Sequence, residues 1–290
     1  MAPVPFPASP LIHDLLAAEL ATDIPHGDLS TMAFPAWCFQ QSTASLVTRQ
    51  AGVLAGFHVF ELVWQLLGGK VTTERRAASG DWLTAGQEIA RFTGPAATLL
   101  AGERTAINLV SHLSGIATLT GHCVAACAGT ATRICDTRKT LPGLRTLQKY
   151  AVRVGGGVNH RYSLSDAVML KDNHLTLITD LSAAVAELRR SLGPTVRIEV
   201  EVGTPAEFVT SIKAGVDAVL LDNMENEAIA WCVERRSPGL VLEASGGITL
   251  ERIPAVAALG VDYISIGGLT HSAPALDLSL EFQPTAGPVQ

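Results

Sequence analysis

The spacing of hydrophobic positions changes character along the chain. Leu11, Leu15, Leu16 and Leu20 recur at helical spacing, and Ser9-Pro10 offers an N-cap followed by proline at the first helical position. A turn-rich loop, Asp23-Ile-Pro-His-Gly-Asp-Leu-Ser-Thr31, follows. Short β-like runs are expected over 44–48, 53–55 and 71–77, with helical spacing over 57–67 between them. Residues 80–90 read as a turn-bounded strand pair. From Ala96 the pattern becomes helical, and Gly115 is expected to separate that helix from a second one over 116–126.

Beyond about residue 131, apolar runs alternate with helical patterns. Strands are expected at 133–135, 167–170, 197–202, 218–221, 240–244 and 263–266, and helices at 144–154, 181–192, 205–214, 225–235 and 250–259. Thr204-Pro205 gives an N-cap with proline behind it, and Gly215 and Gly260 sit where helices end. The stretches Ala214-Gly-Val-Asp-Ala-Val-Leu-Leu and Leu259-Gly-Val-Asp-Tyr-Ile-Ser-Ile match in register as helix end, glycine turn and strand. Such alternation predicts the α/β class, with parallel strands and right-handed crossovers. About six units are visible where a closed barrel has eight, so an open, incomplete (β/α) barrel is expected.

Chemistry-bearing residues collect where these strands end. Arg138 and Lys139 follow the first strand and Lys171, Asp172, Asn173 and His174 the second. Glu199 and Glu201 alternate with valines in the third, Asp222 and Asn223 follow the fourth, Ser245, Gly246 and Gly247 the fifth, and Gly267 and Gly268 the sixth. In this architecture sites are built on that rim. Arg138, Lys139, His160, Arg161 and Lys171 suit carboxylates or phosphates, with arginine supplying bidentate geometry. Glu201 and Asp222 are hard oxygen donors for Mg²⁺ or sugar hydroxyls, and the glycines expose backbone N–H groups to phosphate. A Schiff-base role for Lys171 is the alternative chemistry; Arg104, inside a helix, reads as a solvated charge.

Composition narrows the choice. A chain of 290 residues that is 48% hydrophobic can bury a core, and a net charge of −6 argues against nucleic-acid binding. No apolar run reaches the roughly 18 residues of a membrane span, and the Pro-rich start lacks a signal-peptide pattern. The five cysteines, at 38, 123, 127, 135 and 232, are odd in number and form no Cys-x-x-Cys. Cys123 and Cys127 share a helix face without a histidine to complete a zinc site, so buried thiols in a reducing cytoplasm are expected.

Several motifs resemble one family. Asp136-Thr-Arg-Lys-Thr-Leu-Pro-Gly-Leu-Arg145, Gly155-Gly-Gly-Val-Asn-His-Arg161, Leu170-Lys-Asp-Asn-His174, Gly102-Glu-Arg-Thr-Ala-Ile-Asn108, Leu221-Asp-Asn-Met224 and Glu243-Ala-Ser-Gly-Gly-Ile248 resemble quinolinate phosphoribosyltransferases over nearly the whole chain. The resemblance implies transfer from phosphoribosyl pyrophosphate to quinolinate with decarboxylation, giving nicotinate mononucleotide, pyrophosphate and CO₂ with Mg²⁺. It implies an N-terminal α/β sandwich domain, 1–114, completed by a tail near 272–290, and an open α/β barrel, 115–271. It implies a homodimer or dimer-based oligomer in which Arg104 reaches a neighbour's site, reversing the solvated reading. By the same resemblance Arg104, Arg138, His160, Arg161 and Lys171 clamp the dicarboxylate. Lys139 with Ser245, Gly246, Gly247, Ile266, Gly267 and Gly268 holds phosphate and pyrophosphate, and Glu201 and Asp222 hold ribose and Mg²⁺. Lys139, Lys171, Glu201 and Asp222 are the expected catalytic set. Two departures from the pattern are Ser163, where glycine is common, and the 23–28 loop. Rival readings are a ModD-type relative of the same fold linked to molybdate uptake, against which Lys171 and Asn159 count, a nicotinate phosphoribosyltransferase, which needs no clamp for two carboxylates, and a catalytically silent anion-binding module.

Overall fold

The computed structural model describes residues 3–34 and 40–283, so Cys38 and the tail from 284 lie outside it. The chain forms two compact units. One comprises Met1–Leu119, Leu141–Gly155 and Ser272–Gln290, the other Thr120–Thr140 and Gly156–His271. Residues 141–155 thus group with the first unit although they lie within the span 115–271.

The first unit contains β1 (Gln41–Thr48), β2 (Gly52–Val53), β3 (Thr72–Arg75), β4 (Trp82–Leu83) and β5 (Glu88–Pro95). An antiparallel sheet takes the order β12-β1-β5-β3, with the late strand β12 (Leu278–Phe282) paired along β1. The helix His58–Leu66 buries Phe60 and Trp64 against Phe92 of β5, with ring centroids 5.3 and 4.3 Å apart, which makes this a helix-on-sheet sandwich. The expected strand pair at 80–90 is present as strands but not as a pair. β4 bonds to β2, and β5 bonds to β1 and β3. The chain does reverse between them, since Gln87 N donates to Thr84 O at 3.1 Å with Gly86 at φ 81°, but each strand finds its partner elsewhere.

Gly115 does not break a helix. Ala96–Ala126 runs in one piece over 31 residues. A Cβ on Gly115 would lie 1.9 Å from the Pro274 carbonyl oxygen, so glycine is needed here for close approach of a neighbouring strand of chain. By length and composition this helix could cross a membrane, but half of its most apolar window is buried within the fold. Leu99, Val110, Leu113 and Ile116 are core residues.

The second unit is built on β6 (Arg133–Cys135), β7 (Val168–Leu170), β8 (Ile198–Val202), β9 (Ala218–Asp222), β10 (Val241–Ser245) and β11 (Tyr263–Ser265). All six are parallel, in the order β6-β11-β10-β9-β8-β7. The edge strands β6 and β7 do not pair with each other, yet side chains at both line the same cavities. The sheet therefore curls into a barrel that stays open. Helix punctuation holds as the sequence suggests: Thr204 and Glu207 form a capping box, and Gly215 is left-handed at φ 73°. The two echoing stretches become β9 and β11, which flank β10. Cys123 and Cys127 are buried, and burial, with the neighbouring Cys127, pushes the Cys123 thiol up to about 11.

Candidate active site

Strand ends set the position of each candidate group. Arg138 and Lys139 follow β6, Lys171 follows β7, Glu201 lies near the end of β8, Asp222 ends β9 and Ser245 ends β10. These residues, with His160 and Arg161, line one cavity of about 280 Å³ at the C-terminal ends of the strands. Thr137, Met169, Leu220, Glu243 and Ser265 complete the wall. Gly246, Gly247, Ile266, Gly267 and Gly268 are not part of that wall. Arg104 belongs to the first unit, where it lines a different cavity of about 470 Å³ with Glu19, Asn108 and His112.

The two arginines, Arg138 and Arg161, have no carboxylate ion-pair partner among the described residues. Arg138 Nε is buried and has no hydrogen-bond partner among the described residues. Arg161 Nη1 donates to the Ala167 carbonyl at 2.8 Å. Burial, then the nearby Arg138 charge, lowers the Arg161 pKa against the pull of Glu199 and Asp166. Two crowded guanidiniums are relieved by an anion between or beside them. Lys171 Nζ pairs with Glu201 Oε2.

Local chemistry explains the placement. Asp136 is fully buried after β6 and accepts from His160 N (2.8 Å) and Asn159 Nδ2 (2.5 Å), which ties the loop to the strand end. Asp166 closes the next turn, accepting from Tyr162 N at 2.6 Å, Ser163 N at 3.0 Å and Ser163 Oγ at 3.0 Å; Ser163 thus fits where a glycine is common. At Gly267 an added Cβ would come within 2.9 Å of Lys139 Cδ, and Thr270 Oγ1 donates to Lys139 O at 2.7 Å. Gly267 therefore bears on the site through Lys139. Gly246, at φ 83°, would place a Cβ 2.3 Å from Asn223 Oδ1, and Asn223 Nδ2 donates to Asp222 Oδ2 at 2.7 Å. The β9 and β10 ends are locked together, with Asp222 fixed at the rim. No helix begins directly after Gly247, and the helix Gly268–His271 has four residues, so neither glycine pair carries much macrodipole.

Beneath the rim His160 meets two acids, Glu199 and Glu243, to which strand-end reasoning gave no role. His160 Nε2 lies 3.2 Å from Glu199 Oε2 and 3.3 Å from Glu243 Oε2. Burial disfavours a charged imidazole, but hydrogen bonds and charges from both acids outweigh it and raise His160 to about 10. Arg161 N–H also points at Nδ1 at 2.7 Å, which suits the neutral ring. The two buried carboxylates favour the protonated ring over that one contact between adjacent residues. Burial, opposed by the His160 bond and aided by the Glu243 charge, raises Glu199. Parity was the available signal: Glu199 shares a strand face with Glu201, and Glu243 with Ser245.

The fold and cavity define an α/β-barrel protein with a site at its strand ends lined by four cations and several acids. Residues 116–281 match the model of the quinolinate phosphoribosyl transferase C-terminal domain, and residues 31–114 that of its N-terminal domain. The chain belongs to the quinolinate phosphoribosyl transferase family. It is 42% identical to a nicotinate-nucleotide pyrophosphorylase (carboxylating) of Mycobacterium leprae (strain TN), over 92% of this chain and 96% of that one. With the Homo sapiens protein of the same description it shares 39% over 86% and 85%. The structure of NadC from Streptococcus pyogenes superposes with a TM-score of 0.89 at 40% identity, covering 94% of this chain and 97% of that one. Human nicotinic acid phosphoribosyltransferase, at 13% identity and a TM-score of 0.60 over 96% and 75%, shares the fold alone.

Proposed function

We infer that this chain is a nicotinate-nucleotide pyrophosphorylase (carboxylating), a pentosyltransferase of NAD biosynthesis. It transfers the phosphoribosyl group of phosphoribosyl pyrophosphate to quinolinate and releases pyrophosphate and CO₂. The observation that carries the substrate reading is a single cavity that sets Arg138, Lys139, Arg161 and Lys171 against Glu201 and Asp222. A pyridine with two adjacent carboxylates calls for several fixed cations, whereas nicotinate, with one, does not.

Arg138, Arg161 and Lys171 orient the dicarboxylate so that its ring nitrogen faces the sugar C1, and Lys139 takes phosphate charge. His160 belongs on the floor beneath this clamp. The ring nitrogen bonds to C1 as the pyrophosphate oxygen leaves with the electron pair, and fixed charges stabilise the cation-like sugar. Loss of CO₂ then leaves its electron pair on ring carbon 2, next to the quaternary nitrogen, until that carbon takes a proton.

Glu201 and Asp222 present carboxylate oxygens to one cavity from adjacent strands, a donor set that suits Mg²⁺. They would hold the ion with the ribose hydroxyls, and the ion would supply charge neutralisation for the leaving pyrophosphate. The finer parts of this reading are a homodimer that shares Arg104 between subunits and a cytoplasmic setting. Purified protein given quinolinate, phosphoribosyl pyrophosphate and Mg²⁺ should release CO₂ and mononucleotide together. Turnover with nicotinate but not with quinolinate would end the assignment.

A further inference from the structure

The barrel interior is layered along its strands. At the N-terminal ends, Arg133, Arg197, Ala218, Val241 and Tyr263 line a second cavity of about 600 Å³. At the C-terminal ends, Thr137, Glu201, Asp222 and Ser245 line the reaction cavity. Because strand side chains alternate, each row reads straight through the barrel: Arg197, Glu199, Glu201 near β8 and Val241, Glu243, Ser245 along β10. Between the two mouths lies the layer of Glu199 and Glu243. His160, Arg161 and Glu243 line both cavities, so this layer separates them.

In an ordinary barrel that middle layer is branched and apolar. Here two carboxylates face inward, and His160 Nε2, at 3.2 and 3.3 Å, is the group that bridges them. The side chains of His160, Glu199 and Glu243 are only 14, 11 and 5% exposed. His160 is also held from outside the layer, through its backbone N–H on Asp136 Oδ1 at 2.8 Å. A polar layer of this kind is seldom more stabilising than apolar packing; what it supplies is a ring fixed in one orientation.

We propose that His160, Glu199 and Glu243 form a water barrier across the open barrel, with the two glutamates as positioning residues that hold the imidazole as its plug. This rests on the phosphoribosyl-transfer reading above. Bound substrates occupy the upper mouth, which leaves the lower cavity as the water route to the sugar. Once the C1–O bond to pyrophosphate breaks, with its electron pair on the departing oxygen, C1 accepts the lone pair of whichever nucleophile arrives. The ring nitrogen gives the mononucleotide. A water oxygen gives ribose 5-phosphate, with the water's proton lost to solvent. Exclusion of water is the general means by which sites suppress such a side reaction.

The test compares pyrophosphate release with CO₂ release from carboxyl-labelled quinolinate, using the full chain with phosphoribosyl pyrophosphate and Mg²⁺. The wild type should release the two in a ratio close to one. Glu243→Ala and Glu199→Ala, which unseat the plug, should release pyrophosphate in at least about twofold excess over CO₂. Glu243→Gln keeps the shape and an acceptor oxygen, and should stay near one. A ratio of one in either alanine variant that still unfolds cooperatively near the wild-type temperature would overturn the barrier, however slow the enzyme. Failure of the wild type to release CO₂ at all would instead overturn the functional reading, and the barrier with it.

Discussion

At the scale of single residues, the clamp depends on donor geometry as well as charge. Arg161 spends Nη1 on the Ala167 carbonyl and keeps the rest of its fork for a ligand, while Arg138 Nε has no partner among the described residues. Lysine reproduces the charge of Arg161 but, as a point charge, not the planar fork that reaches the Ala167 carbonyl and a ligand at once. Arg161→Lys should therefore lower kcat/KM for quinolinate by about 10- to 100-fold, the worth of one or two charge-assisted hydrogen bonds, with an unchanged unfolding temperature. Lys139→Ala should cost at least as much and act mainly through phosphoribosyl pyrophosphate. Steady-state kinetics with each substrate varied in turn would check both, and unchanged constants in either variant would show that the clamp lies elsewhere. Residues of this kind were legible because strand ends are fixed by pattern and a cation there has few structural uses. Glu199 and Glu243 were harder to read. An acid inside an apolar run signals burial, but its partner, His160, sits on a loop that only the folded chain brings beneath it.

At the scale of elements, the two departures from the sequence reading share a cause. A glycine marks a place where the backbone is free or crowded, and sequence does not say which. Gly86 sits in a free turn between two strands that pair in different sheets, and Gly115 lies under the Pro274 carbonyl in the middle of an unbroken helix. Gly115→Ala should destabilise the fold by about 1–3 kcal/mol through overpacking, although alanine is the better helix former. Chemical denaturation would check this, since propensity alone predicts a gain. The layer beneath the site gives a prediction in pH. A histidine that binds its proton more tightly in the folded chain stabilises fully below about 6.5, less as pH rises, and no longer above about 10. Glu199, raised by burial, acts with the same sign: its contribution is also lost as pH rises. The thermal stability of the wild type relative to His160→Gln should thus be greatest near pH 6 and shrink steadily towards pH 10. An advantage independent of pH would mean that His160 is not charged in the fold.

At the scale of the whole molecule, Arg104 poses the remaining question. It lies on the helix Ala96–Ala126 and lines a cavity within the first unit. A homodimer that shares Arg104 between subunits, as proposed above, would give it a binding role at a site completed by another copy of the chain. Two-fold symmetry makes that idea quantitative. Arg104→Ala and Lys139→Ala homodimers each lack one group at both sites. A mixed dimer has one site with both groups and one with neither. If equal amounts of the two inactive variants are unfolded together and refolded, half of the dimers are mixed, so about a quarter of wild-type activity should return. Were Arg104 to serve the site of its own chain, every site in every dimer would lack one group, and no activity would return. Mixing without subunit exchange separates the two cases from simple contamination, since activity should appear only after the chains have traded partners.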